Sequence, residues 1–543
     1  MENLTESSSI QVDAGTLRQH SGFIFSFWKA WASLFTAILL LRIACNVWIY
    51  PHLTSPLRRL PTAPHGHWLF GQAIRIWKTP LGAPMRDWFV IRFPFVSSLA
   101  NKVRVKHVPN DGMIRYLGLF NRERVLICSP QALAEVLVTK SYGFSKPSAL
   151  RWSIGRIVGV GLLLAEGDAH RAQRRNLLPA FSFRHIKNLY PIFWTKSQEI
   201  VSVMVKDFGG EEQVVDISPY ASRVTLDIIG LAGMGRSFGA IANPESDLVK
   251  TYEEVLEPSL ADMIMSVVGR FIPFRIVAAL PVRRNRFLKA ASQRVRALCR
   301  DMIRERKVGT TIGGDKQEST DIISTILRND DDPTQDRILE DELMTFLAAG
   351  HETTASALVW AIYLLCKHPH IQQELRRHVQ EIPDMVTNAD IDGIPYLEAV
   401  CNEVLRVYGP LPLTSRRATA NTVIQGQMIP RGTHVVICPW ATNFDPSLWG
   451  ADVDQFKPER WLANASGGAK SNFAMLTFSH GPRGCIGQRF ARAEFACLLA
   501  SWIARFEFAL ADPALANEDL LHIRRGITVR PNEMRVKVKV LDT

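Results

Sequence analysis

The segment Phe478-Ser479-His480-Gly481-Pro482-Arg483-Gly484-Cys485-Ile486-Gly487 is the part of this chain best equipped for chemistry. Three glycines in seven residues free the backbone to pass close to a bulky partner. The helix-like run QRFARAEFACLLASWIARF follows at once, which puts Cys485 near a helix N-terminus. Backbone N–H groups and the helix dipole there favour a thiolate, the form of cysteine that ligates metals. The competing reading is a turn whose buried cysteine caps a core helix. The eight cysteines (Cys45, Cys128, Cys299, Cys366, Cys401, Cys438, Cys485, Cys497) form no CxxC pair. A zinc cluster and a disulfide scaffold are therefore disfavoured, and a reducing compartment is expected. Seven of them sit among apolar residues and read as buried small hydrophobes.

A second candidate lies in the apolar stretch Leu343–Cys366, interrupted by Ala349-Gly350-His351-Glu352-Thr353-Thr354. Glu340, Asp341 and Glu342 precede it, where acidic residues suit a helix N-terminus. A polar block of this kind is costly in mid-membrane, so a buried central helix is expected. Gly350 would let a flat ligand approach the backbone, Thr353 would offer a hydroxyl, and Glu352 would relay protons. The alternative is a glycine at a tight helix crossing, a salt-bridged Glu352, and threonines bonded one turn back.

Glu403 and Arg406 in YLEAVCNEVLRVYGPLP share a helix face. Leu397, Val400, Val404 and Val407 make their surroundings apolar, so a second arginine is required nearby. Arg460 in FKPERW supplies it. This triad is structural.

These pieces need a large α-rich body. Helical periodicity runs to about residue 410, broken by a polar loop at 309–320. Short strand-like pieces occur near RVLICSP, between Thr422 and Cys438, and between Leu521 and Val540. No solenoid repeat is present. Residues 1–22 read as a tail and 23–50 as a membrane anchor helix bounded by Trp28, Trp31, Trp48 and Tyr50. Residues 51–72 read as a stiff proline-rich hinge, and 73–543 as the catalytic domain. Arg58-Arg59 and the basic body after the span put the bulk on the cytosolic side. The net charge of +12 over 543 residues is scattered, which suits an acidic partner or anionic membrane and not nucleic acid.

Together, AGHETT, Glu403-x-x-Arg406 with Arg460, and FSHGPRGCIG resemble the cytochrome P450 family, with anchor and hinge similar to its microsomal branch. The resemblance implies a mainly α fold with small β elements and a haem b cofactor with Cys485 on its iron. It implies Thr353 and Glu352 as catalytic residues, and Arg483, Phe478, Arg174, His170, Arg416 and Gly350 as haem contacts. His170 stands where many members carry tryptophan, and Arg417 beside Arg416 leaves a one-residue ambiguity. Electrons would come from NADPH through a separate diflavin reductase, with cytochrome b5 as a second donor, at the endoplasmic reticulum membrane. The substrate would be a lipophilic small molecule of terpenoid, steroid-like or polyketide type. Its pocket would be lined by 153–164, parts of 255–275, the central helix, 411–414 and 526–528. A haem-thiolate isomerase or dehydratase needing no O₂, and a haem-binding sensor or carrier, are the alternatives.

Overall fold

The structure, a computed structural model, describes residues 14–89, 108–209, 212–246, scattered positions between 249 and 272, 274–312, 321–327, 336–524, 526 and 528–542. Ile527 and much of the expected 255–275 lining lie outside the described residues. The central helix, Asp336–Lys367, is longer than its apolar stretch. Nearly every side chain from Leu339 to Cys366 is buried, because helices Ser218–Ile228, Arg283–Ile312 and Gln488–Arg505 pack around it. Its three acids do not precede the helix but lie within it, each with a structural partner. Arg296 bonds both Glu340 (3.1 Å) and Asp341 (2.8 Å). Glu342 accepts from the Leu162 backbone at 2.9 Å, and burial raises its carboxyl to about 7.

The β elements are small, as expected. Five strands pair in the order Met113–Leu117, Glu123–Ile127, His434–Ile437, Thr414–Ala418 and Phe144–Ser145. The C-terminal strand is confined to Arg535–Val540, pairing with Phe506–Leu510 and Gln213–Asp216. Helix Arg283–Ile312 takes in the first residues, 309–312, of the expected polar loop, whose remainder lies outside the described residues.

At the N-terminus, helix Ala14–Ala44 runs directly into π-helical turns Cys45–Thr54. Phe27–Thr54 is long and apolar enough to cross a membrane. The hinge therefore starts later than its first proline suggests. Pro51 sits inside the helix, where wider π turns relieve the clash between its ring and the preceding carbonyls. Cys45 is only half-buried on this span, whereas Cys128, Cys299, Cys366, Cys401, Cys438 and Cys497 are buried as expected.

Candidate active site

Backbone geometry builds the cysteine loop. Gly481 has φ +74°, and a Cβ there would lie 2.2 Å from the Leu137 carbonyl oxygen, so only glycine lets the loop pack on the 135–139 turns. The Gly484 N–H then bonds the Gly481 carbonyl, and the Cys485 N–H donates to the Phe478 carbonyl at 2.9 Å. Helix Gln488–Arg505 begins three residues later. Cys485 is the one exposed cysteine of the eight, although protein surrounds it on nearly all sides. Burial raises its thiol, and the Gly487 N–H and the Arg174 charge pull it back only in part. The backbone N–H groups at the helix start thus favour the thiolate as expected but do not outweigh burial, and a bound metal ion would displace the proton. Among the described residues no three His, Cys, Asp or Glu gather as metal ligands. A lone sulfur fits an iron whose other ligands arrive with a macrocycle.

A cation cluster stands beside the sulfur. Arg174 donates to the Gly484 carbonyl at 2.7 Å, tying its helix Gly167–Leu177 to the loop. Arg483 is nearly buried, pairs with Glu166 and donates to the Phe144 carbonyl at 2.8 Å. Its Nε has no partner. Strand alternation separates Arg416 from Arg417: Arg416 points inward and is buried while Arg417 is exposed. Burial and the neighbouring Arg483 lower Arg416 to about 10. His170 is buried, with Nδ1 3.0 Å from the Tyr142 hydroxyl. Burial and then the charges of Arg483, Lys146, Arg174 and Arg416 push it down to about 4, so it is neutral near pH 7. Lys146, which no local motif announces, is lowered to about 7 by burial, Arg416 and Arg483. Glu166 is the one counter-charge acting on Lys146 and Arg416 among the described residues. So many desolvated cations with one carboxylate among them suit an added dianion, such as the two propionates of a haem. The residues fit the group.

On the central helix, Ala349 is exposed and Thr353 half-exposed, whereas most side chains from Leu339 to Cys366 are buried. Both threonines bond one turn back, Thr353 to the Ala349 carbonyl at 2.7 Å and Thr354 to the Gly350 carbonyl at 3.5 Å. The reading of Gly350 as an opening for a flat ligand is corrected. A Cβ there would meet Ile229 Cδ1 at 2.7 Å, so this glycine admits a tight helix crossing. Glu352 accepts from the Thr528 hydroxyl at 2.9 Å, with Arg524 and Arg530 each 3.8 Å away. Sequence reasoning missed these three partners. Phe478 is half-buried, with the Arg492 guanidinium 5.3 Å from its ring centre.

The Glu403 triad is complete. Arg406 holds both Glu403 oxygens at 2.8 and 2.9 Å, and Arg460 reaches Oε1 at 3.1 Å. The Lys457 N–H and the Trp461 indole add two donors at 2.9 Å, and Arg406 also donates to the carbonyls of Asn443, Val453 and Gln455. Burial raises the Glu403 carboxyl, but the Arg406 hydrogen bonds and the two arginine charges outweigh it and leave it below its ordinary value.

This fold and site define a haem-thiolate protein, and residues 88–538 match the cytochrome P450 family; the chain belongs to that family. It is 41% identical to cytochrome P450 monooxygenase sphH of Aspergillus fumigatus, covering 92% of this chain and 91% of that one. It is 39% identical to cytochrome P450 monooxygenase FUM15 of Gibberella moniliformis over 94% of this chain and 92% of the relative. Similarity to cytochrome P450 monooxygenase ALT8 of Alternaria alternata is also 39%, over 91% of each. Family membership brings haem and an external source of electrons.

Proposed function

We propose that this chain is a membrane-anchored haem-thiolate monooxygenase of specialised metabolism, acting on a lipophilic terpenoid, steroid-like or polyketide scaffold. The observation that carries it is Cys485, the exposed cysteine of a glycine-built loop that Arg174 ties to a cluster of desolvated cations. The relatives, all named monooxygenases, support the reaction class. Haem b, when bound, supplies the chemistry that places one atom of O₂ in an unactivated C–H or C=C bond and reduces the other to water.

The chain's own residues do the rest. Cys485 would hold the iron, Phe478 would pack beside the group, and Arg174, Arg416 and Arg483 would hold its propionates with Lys146 near them. His170, neutral, would be oriented by Tyr142. Thr353 would release its bond to the Ala349 carbonyl to donate its hydroxyl, and Glu352, held by Thr528 and two arginines, would relay protons. Val158, Val255, Leu288, Val295 and Met344, with Thr251 and Ser292, close tightly on one another beside the central helix. Exposed Arg171, Arg175 and Arg489 flank the cysteine loop and would dock an acidic diflavin reductase that takes electrons from NADPH, or cytochrome b5. Arg58 and Arg59 after the anchor support a body on the cytosolic face of the endoplasmic reticulum. Assay in reductase-containing microsomes, with NADPH and candidate lipids, tests the reading. Normal haem absorption without NADPH-driven product from any lipid would favour the isomerase or carrier.

Thr353→Ala is expected to keep haem while diverting electrons to peroxide, so the ratio of product to NADPH falls sharply. Unchanged coupling would remove Thr353 from the relay. Lys146 gives a pH test. Its pKa in the protein is lowered to about 7, so above pH 7 the free site holds it neutral while the unfolded chain keeps it charged. A bound dianion recharges it, so haem uptake takes up a proton there. Haem transfer to apomyoglobin should therefore quicken as pH rises above about 7, and Lys146→Met should flatten that dependence. Equal slopes in both proteins would dismiss Lys146.

A further inference from the structure

We propose that the turn 159–165 is a strap clasped to the central helix by Asp341, Glu342 and Thr345, and that ionisation of Glu342 releases it and opens a way to the helix beside Ala349. The clasp itself rests on no bound group; the opened way rests on the haem reading given above.

The clasp joins backbone to side chains. Helix Ser148–Val158 ends at Gly159, with φ +69°, and the chain doubles back so that the Leu164 and Ala165 N–H groups donate to the Gly161 carbonyl at 2.8 and 2.9 Å. Thr345 donates to the Val158 carbonyl at 3.3 Å, and Asp341 accepts from the Val160 N–H at 2.9 Å. Both Glu342 oxygens accept from the Leu162 N–H, at 2.9 and 3.1 Å. Residues 158, 160 and 162 are thus held by little more than one turn of the central helix. The approach is close, since a Cβ at Gly161 would stand 2.5 Å from the Thr345 hydroxyl and 2.6 Å from the Asp341 carbonyl oxygen. At the far end the Ala165 carbonyl accepts from Arg483 at 3.3 Å, which makes that end the hinge.

Ile157 and Val158 of the strap's helix close on Met344 and Ala348 of the central helix. Ala349, next along, is exposed. Lifting the strap parts these residues and opens the helix there.

The two acids of the clasp differ. Asp341 has Arg296, which also bonds Glu340, and Arg300 lies 3.9 Å from Glu340. Glu342 has no cation among the described residues. Arg151 of the strap's helix donates to the Leu164 carbonyl instead. Arg223 and Asp227 of the packed helix Ser218–Ile228 turn to the backbone of residues 240 and 241. Burial, and then the like charge of Asp341, outweigh the Leu162 N–H and raise the Glu342 carboxyl to about 7. Released into water, it would return to its ordinary value of about 4.3. The closed strap therefore holds the proton more tightly than the open one. Closure is fully favoured below the open value, weakens as pH rises, and reaches its floor above about 7.

The test is hydrogen exchange across 159–165 in the full haem-loaded chain in nanodiscs, read by mass spectrometry and corrected for the intrinsic effect of pH on exchange. Wild-type protection should fall roughly twentyfold from pH 5.5 to 7.5 and then level off. Glu342→Gln keeps an acceptor for the Leu162 N–H but cannot ionise, so its protection should stay high without a slope. Asp341→Asn should lower protection at every pH and keep the slope. Gly161→Ala forces the clasp apart, so protection should already be low at pH 5.5; this variant decides the matter if Glu342→Gln loads no haem. Carbon monoxide escape after flash photolysis should rise over the same pH range. A flat wild-type profile, the same slope in Glu342→Gln, or Gly161→Ala behaving as wild type would overturn the strap. Escape indifferent to pH, with exchange as expected, would overturn the opened way. A chain that binds no carbon monoxide would overturn the haem reading, while the exchange slope still decides the clasp.

Discussion

Arg406→Ala is expected to lower the unfolding free energy by about 3–5 kcal/mol and to leave little protein able to retain haem. Arg406 is fully buried and bonds both oxygens of an equally buried Glu403. Truncation strands that carboxylate with Arg460 as its remaining charged partner, and it frees the carbonyls of Asn443, Val453 and Gln455 at once. A domain of about 5–15 kcal/mol total stability cannot absorb such a loss and stay loaded with cofactor at growth temperature. Trp461→Phe removes one donor to Glu403 and should cost only about 0.5–1.5 kcal/mol. Acid should act on the same network. The Glu403 carboxyl is lowered in the fold, so its contribution is present above the unfolded value and is lost as pH falls through the folded one. Denaturant titration with haem content as a second readout checks this; an Arg406→Ala midpoint close to wild type would show the network to be idle.

Cys485→Ala is expected to abolish both the thiolate-type carbon monoxide difference spectrum and NADPH-dependent oxidation. Among the described residues no group of three His, Cys, Asp or Glu gathers to hold a metal in its stead. The cation cluster would still attract the propionates, so weak, readily lost haem with altered absorption is the residual state. The same spectrum and the same haem affinity in this variant would mean that another residue holds the iron.

The parts legible in the sequence are those whose partners lie close along the chain. The cysteine loop compresses its ligand, its turns and its helix start into ten residues, and Glu403 with Arg406 are one helical turn apart. Arg460 could be anticipated because a buried carboxylate bridging one arginine asks for another. What was hidden comes from remote segments. Lys146 reaches the cation cluster of Arg416 and Arg483 from the loop after a two-residue strand, and Thr528, Arg524 and Arg530 close on Glu352 from the far end of the chain. No spacing rule announces such meetings. Gly350 was legible as a glycine that removes a side chain, but not which neighbour fills the gap; Ile229 does. Pro51 misled for a local reason, because a proline ordinarily ends a helix and here the turns widen around it.

Iron K-edge X-ray absorption of the purified, haem-loaded protein tests the central claim most directly. The account predicts one sulfur neighbour on the iron in the wild type and a lighter neighbour in its place in Cys485→Ser. A sulfur neighbour that persists in that variant, or none in the wild type, would contradict it.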